Sequence, residues 1–374
     1  MNSLNIAATG LNQAQRGLGV VSQNVSNVNT EGYHKQRLEL MSLGHNNNGV
    51  AEQTTKRYSH YLEQSMANTN AKKSFSEEMA QNGQLSESIL MSESTQKNLN
   101  DIMSKFNDYS LNPSNDASNL LKSSIDFAKT GIQDSVSALK DQEKALGNKL
   151  EIEKTNFQNK ITEFNQVQDD ITKIGNSGPL LDRRDQLIME MSNFTEINIT
   201  KDGSLKRLSV ESPENFKGGK LGGISDSIKS IQELSNNLTT SLSGFEDELN
   251  KINSSGIDGN PLINEDGSLG TIKLDKIVTG DIGNIPEFEK SISDFSSKLN
   301  SFSINLAGNV NADRQSFQNR LGLQEEMSRQ IQSKVGVNLD EEAIDKIRYE
   351  QMYQSMAKII TADEKMFQSL LGAV

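Results

Sequence analysis

Catalysis and metal binding need nucleophiles, proton carriers and ligands at fixed spacing, and this chain offers few of them. Cysteine is absent, which removes disulfides, thiolate nucleophiles and Cys-ligated metals together. The three histidines, His34, His45 and His60, have no second His or carboxylate at the spacing of an HExxH zinc motif. They read as ordinary surface or interface side chains, and neither a Ser-His-Asp nor a Cys-His site has much to build on. Asp258-Gly259-Asn260 and Glu265-Asp266-Gly267 look like a calcium loop only superficially. Their oxygens miss the alternate positions such a loop needs and no bidentate Glu closes the run, so surface turns are expected. Gly218-Gly219-Lys220-Leu221-Gly222-Gly223 lacks the spacing of a phosphate-binding loop and reads as a flexible link before a helix. No catalytic, cofactor-binding or metal residue is assigned, no cofactor is expected, and the chain is read as non-enzymatic.

The elements that would have to position chemistry are long helices. Leu4, Ala7, Leu11, Ala14, Leu18, Val21, Val25 and Val28 alternate steps of three and four, a heptad seam that Asn29-Thr30-Glu31-Gly32 brings to a stop. Arg16 is the only charge up to Val28, so the opposite face is polar but nearly uncharged and can be buried at modest cost when hydrogen-bonded. The far end answers it. After Gly336, Asn338 and Asp340 offer caps, Glu341 and Glu342 suit a helix start, and an apolar stripe runs from Ala343 and Ile344 to Leu370 and Leu371. Neither end helix has an obvious partner except the other.

Further helices are expected between the ends, over about Thr54 to Phe106 and Asn115 to Ile174, separated at Leu111-Asn112-Pro113-Ser114. Two more follow the seams Ile224 to Ile252 and Ile292 to Leu321. Thr195-Glu196-Ile197-Asn198-Ile199-Thr200 and the stretch Gly267 to Val278 alternate beside Asp-Gly turns and suggest strands. The expected fold is mainly α: a long antiparallel helical bundle or coiled-coil rod with the N- and C-terminal helices paired, plus a small β-rich module inserted in the middle. The expected division is 1–45 with 330–374 as a terminal coiled-coil polymerisation domain. A helical rod takes 46–190, 224–256 and 286–329, and the outer β-rich module takes 191–223 and 257–285.

Composition fits such a shape. Only 34% of residues are hydrophobic and 5% aromatic, thin for one large core but suited to helices packed along narrow stripes. A formal net charge of −12 argues against nucleic-acid binding, which needs a basic surface. No apolar run approaches the roughly 18 residues of a membrane span. The opening Met1-Asn2-Ser3-Leu4-Asn5-Ile6 has no charged n-region or apolar h-region, so export without a cleavable signal peptide is expected. Isolated helices are marginal in water, and both ends are expected to be mobile in the free subunit and to order when neighbours supply apolar surface. The expected assembly interface is Leu4, Leu11, Leu18, Val21, Val25, Val28, Ile344, Ile347, Met352, Met356, Ile359, Ile360, Phe367 and Leu370.

Gly10-Leu11-Asn12 through Val25-Ser26-Asn27-Val28-Asn29-Thr30-Glu31-Gly32-Tyr33, followed by Lys35-Gln36-Arg37, resembles the N-terminal signature of the axial proteins of the bacterial flagellum. Gly336-Val337-Asn338-Leu339-Asp340-Glu341-Glu342, continuing to Arg348-Tyr349-Glu350-Gln351 and Tyr353, and Leu180-Leu181-Asp182-Arg183-Arg184-Asp185-Gln186-Leu187, are most similar to the hook-associated protein 1 family. The resemblance implies a structural ring of subunits, extracellular, at the junction between hook and filament. Its implied partners are other copies of itself, hook protein, hook-associated protein 3 and a cytoplasmic export chaperone holding the C-terminal region before type III export. It implies no nucleic-acid or membrane partner. Members of the family are often longer, with a larger outer β-rich insertion. Another axial protein, such as hook-associated protein 3 or a flagellin-like subunit, and a secreted helical adhesin or effector remain the alternatives.

Overall fold

The computed structural model describes residues 2–30, 32–41, 50–55, 60–90, 93–112, 114–174, 177–199, 216–254 and 284–372. Among them the order is α1 (Asn2–Ser26), β1 (Gln36–Met41), β2 (Val50–Thr55), α2 (His60–Leu90), α3 (Glu93–Leu111), α4 (Asn115–Ile174), α5 (Gly178–Ser192), α6 (Gly219–Ser254), α7 (Asn284–Val335) and α8 (Leu339–Leu371). The protein is mainly α.

Local chemistry sets the helix ends. Ser114 follows the Pro113 break and its hydroxyl accepts the Ala117 N–H at 3.1 Å, capping a helix of 60 residues, about 90 Å long at 1.5 Å per residue. Pro179 sits in the first turn of α5, where its missing N–H costs nothing. Asn338 caps α8 by accepting the Asp340 N–H at 2.9 Å, ahead of Asp340, Glu341 and Glu342 in the first turn.

The core lies in the helical domain, where α2, α3, α4, α5, α6 and α7 pack side by side. The α4 seam buries Leu121, Ile125, Ile132, Leu139, Leu146, Leu150, Phe157 and Phe164, and the α6 seam buries Ile224, Ile231, Leu238, Leu242, Phe245 and Leu249. Aromatic pairs fasten the helices together. Phe106 stacks on Phe288 with centroids 4.2 Å apart, Phe245 on Phe295 at 4.4 Å, and Phe157 on Phe194 at 5.6 Å.

α2 runs through the domain on polar contacts at successive turns. Asn70 donates to Ser192 (3.3 Å), Glu78 pairs with Lys149 (2.7 Å), Asn82 donates to Ser227 (3.2 Å) and Ser86 to Gln142 (3.0 Å). Together they tie α2 to α5, α4 and α6.

Three expectations change. The stretch from Thr54 was read as helical from its start, but Gln36–Met41 and Val50–Thr55 pair as an antiparallel hairpin, Gln36 opposite Thr55 and Met41 opposite Val50. Leu38 and Leu40 alternate with Arg37 and Glu39, the period of a strand. The glycine-rich run at 218–223 is not a flexible link, because Gly219 opens α6 and a Cβ on Gly223 would lie 2.9 Å from the Phe75 carbonyl oxygen. Small residues let α6 close on α2 there, and positive φ at Gly218 (66°) and Gly219 (64°) makes the entry turn. As for the β-rich outer module, the described part holds the Glu196 N–H to Lys217 carbonyl bond of 2.8 Å and an isolated bridge at Ile199. The rest of that expectation at 200–215 and 257–283 lies outside the described residues, while 191–192, 219–223 and 284–285 are helical.

Candidate functional site: the terminal helix pair and its clasp

α1 and α8 lie against each other, and the register follows from three contacts seven residues apart. Gly10 meets Met356, Gly17 meets Tyr349, and Asn24 donates to Glu342 at 3.0 Å. Numbers rise along one helix as they fall along the other, so the pair is antiparallel with a heptad repeat. The seam on α1 is Ala7, Gly10, Ala14, Gly17, Val21 and Asn24, all buried. It shares only Ala7, Ala14 and Val21 with the seam read from the large residues. A Cβ on Gly10 would lie 2.9 Å from the Met356 sulfur, and one on Gly17 would enter the Tyr349 ring. Glycine is needed here for close approach, so that side chains of α8 fill what α1 leaves empty.

The large apolar residues of α1 are displaced to the flanks. Leu4 (45% exposed) and Val25 (43%) face outward, Leu11, Leu18 and Val28 are half-buried, and Val21 alone among the expected α1 interface residues is buried. On α8, Met352, Met356 and Ile360 are half-buried in the seam. Ile344 (66%), Ile347 (54%), Ile359 (40%), Phe367 (63%) and Leu370 (68%) are exposed. The only fully buried residue of α8 is a carboxylate, Glu342.

That carboxylate belongs to a clasp joining the terminal pair to the helical domain. Asn24 uses its whole amide: Nδ2 donates to the Gln36 carbonyl (2.9 Å) and to Glu342, while Oδ1 accepts from the Tyr33 hydroxyl (2.9 Å) and the Gln36 N–H (2.9 Å). Lys35 Nζ reaches Glu341 at 2.8 Å and Glu342 at 2.9 Å, and its N–H donates to the Val335 carbonyl at 2.8 Å. Buried His34 places Nδ1 2.6 Å from Asp182 Oδ1. The Gln36 side-chain amide lies against Gly178, where a Cβ would force it to move. Beside them Arg184 and Asp185 form a buried pair at 2.9 Å, and Arg183 binds Glu163 and Glu190.

Electrostatics follow from this crowding. Burial alone would lower the Lys35 ammonium, but its hydrogen bonds to Glu341 and Glu342 outweigh it and hold its pKa above the ordinary lysine value. Burial, helped by the nearby Asp182 and Glu342 carboxylates, pushes the Tyr33 phenol up to about 12. The hydrogen bond from Arg183 holds the Glu163 carboxyl below its usual range.

Three sequence motifs far apart in the chain, at 24–37, 178–185 and 335–342, thus meet at one place. Of the surface-or-interface expectation for the histidines, His34 takes the interface place, buried against Asp182 of α5. His45 lies outside the described residues, and His60 opens α2. Sequence reading missed Asn24, although it falls seven residues after Gly17 and fourteen after Gly10, a repeat that marks the true seam. Among the described residues no group of His, Asp and Glu is placed to hold a metal, and no helix is long and apolar enough to cross a membrane.

Known protein families match at the same landmarks. Residues 4–34 match the flagella basal body rod protein family, and 328–373 match the C-terminal region of the flagellar basal body rod FlgEFG proteins. These two segments are α1 with its following turn, and α8 with the end of α7, so the paired termini define an axial structural protein of the bacterial flagellum. Residues 83–212 match the helical domain of flagellar hook-associated protein FlgK. Together the three matches support a FlgK-type hook-associated protein 1, a flagellar axial structural protein at the hook–filament junction that assembles with other flagellar components. No curated protein matches the chain.

Proposed function

We propose that the protein forms the junction ring by self-assembly through its terminal helix pair. α1 and α8 of each copy lie against those of its neighbours to build an inner tube around the export channel. The observation that carries this reading is the burial pattern of α8: it hides one carboxylate and leaves Ile344, Ile347, Ile359, Phe367 and Leu370 in water. Large exposed apolar side chains concentrated on one helix mark an interaction surface, and burying each contributes about 1.5–3 kcal/mol once a partner exists. The fourteen interface residues divide in this reading. Val21, Met352, Met356 and Ile360 hold the pair together within one chain, and the exposed remainder, with half-buried Leu11, Leu18 and Val28, meets neighbours.

Partners follow from the ends of the ring: hook protein on one side, hook-associated protein 3 on the other. Before export, a cytoplasmic chaperone covers the α8 face, since the same stripe would otherwise associate prematurely. The helical domain, α2 to α7, forms an outer rod that resists torsion. The clasp sets how the terminal pair leaves this rod.

Deleting the gene in its own host and inspecting cells and medium by electron microscopy tests the reading. Bare hooks with flagellin lost to the medium are expected; intact filaments would remove the junction role.

A further inference from the structure

A cleft of about 280 Å³ opens between α2, α6 and α7, and none of its lining residues belongs to the terminal pair. Met79, Ile231, Leu234, Leu306 and Val310 give it an apolar floor. Gly83 lets α2 and α7 approach closely beside it, since a Cβ there would lie 2.7 Å from the Val310 side chain. Asp313 lines the same cleft. Burial pushes its carboxyl above the usual range, and among the described residues no donor or cation pairs with it. Of the other polar groups lining it, Asn82 donates to Ser227 at 3.2 Å and Ser86 to Gln142 at 3.0 Å, while Ser230 and Asn309 are exposed at its edge.

A partly desolvated carboxylate without a donor, above an apolar floor, is an unfavourable arrangement. A long aliphatic stem with a cationic head relieves both parts at once, the stem covering the floor and the head pairing with Asp313. An anion would be repelled, and a neutral apolar ligand would leave the carboxylate as it is. Lysine and arginine side chains have the required chemistry. The helical domain presents Lys72, Lys140, Lys144 and Lys298 to solvent, and none of them lines the cleft. A socket at one place and its knob at another on the same chain make a heterologous contact, the kind that generates rings of identical subunits.

We infer that this cleft receives a lysine or arginine side chain from the helical domain of a neighbouring copy, a head-to-tail contact outside the terminal helices; the inference rests on the reading that copies of this chain assemble together.

The test places a photocrosslinking p-benzoylphenylalanine at Asn309, an exposed residue on the cleft rim, and in a second full-length variant at Leu11 in the terminal pair. Assembled flagella are irradiated and the joined peptides identified by mass spectrometry. Expected is a copy-to-copy link from position 309 to a helical-domain segment bearing a lysine or arginine. Asp313→Asn should reduce that link several-fold, Asp313→Glu should retain it, and the link from position 11 should be unchanged in both. Copy-to-copy links from position 11 with none from 309, or links from 309 only to another protein, would overturn the inference and leave the assembly reading intact. Absence of copy-to-copy links at both positions would overturn both.

Discussion

The helical domain and the terminal pair use the same element, a long amphipathic helix, in opposite ways. In the domain, Phe106, Leu139, Phe157 and Leu187 are at most 1% exposed, and each seam closes on another helix of the same chain. In the terminal pair the α1 seam is glycine, alanine, Val21 and an asparagine, while Leu4, Ile6, Ile344, Phe367 and Leu370 are exposed. A helix whose largest apolar groups face its own partner is complete when folded. One that spends its smallest residues on that partner keeps the large ones for other molecules. The difference separates a part built for stability from a part built for assembly, within one chain.

The comparison can be broken most severely on the outward face. Leu18→Asp puts a charge that assembly would bury unpaired, so filaments and motility should be lost. The denaturation midpoint of the helical domain should stay within about 0.5 kcal/mol of wild type, as for a surface change. Normal motility in this variant would contradict the division. Phe157→Ala does the reverse: it opens the core beside Phe194 and Phe216 and should destabilise the domain by about 3–5 kcal/mol in urea titrations.

Two glycines of α1 sharpen the contrast. Gly17→Ala drives a methyl into Tyr349 and should loosen the pair by about 1–3 kcal/mol, read as faster amide exchange along both helices. Gly19 has nothing within 4 Å, so Gly19→Ala should leave exchange unchanged or slow it, by about 0.5–1 kcal/mol.

The clasp gives an intermediate effect and then the smallest. Asn24→Ala removes the amide that answers Glu342, Gln36 and Tyr33 and should cost about 1–3 kcal/mol, seen as exchange at Val335 to Glu342 while the domain core stays protected. Alkali acts through Tyr33. Its folded pKa of about 12 exceeds the ordinary 10.0, so the unfolded chain ionises first. The contribution is therefore whole below pH 10 and declines as pH rises from 10 through 12. Tyr33→Phe should flatten that decline.

The sequence made much of this legible. The end helices, the break at Pro113, the seams of α4 and α6 and the cap at Asn338 all rest on local rules, and all appear in the structure. The pairing register did not follow, because leucines at three-four spacing are the strongest signal in α1 and belong to its outer flank. Glycine and alanine at seven-residue spacing carry little hydrophobic signal, yet they decide where two backbones can approach. The hairpin was hidden because only Leu38 and Leu40 mark its period. The clasp was hidden because His34, Asp182 and Glu342 are brought together by tertiary packing alone, although each lies in or beside a motif the sequence displays.

The most direct test of the division between the two regions uses the absence of cysteine. Single cysteines at half-buried Leu11 and exposed Ile344 on the terminal pair, and at exposed Ile152 on the helical domain, can be labelled with maleimide in the free subunit and in assembled flagella. The expected result is rapid labelling of all three in the free subunit, with positions 11 and 344 at least about ten-fold slower after assembly and position 152 still reactive. Equal reactivity of positions 11 and 344 before and after assembly would contradict the claim that neighbours cover this face.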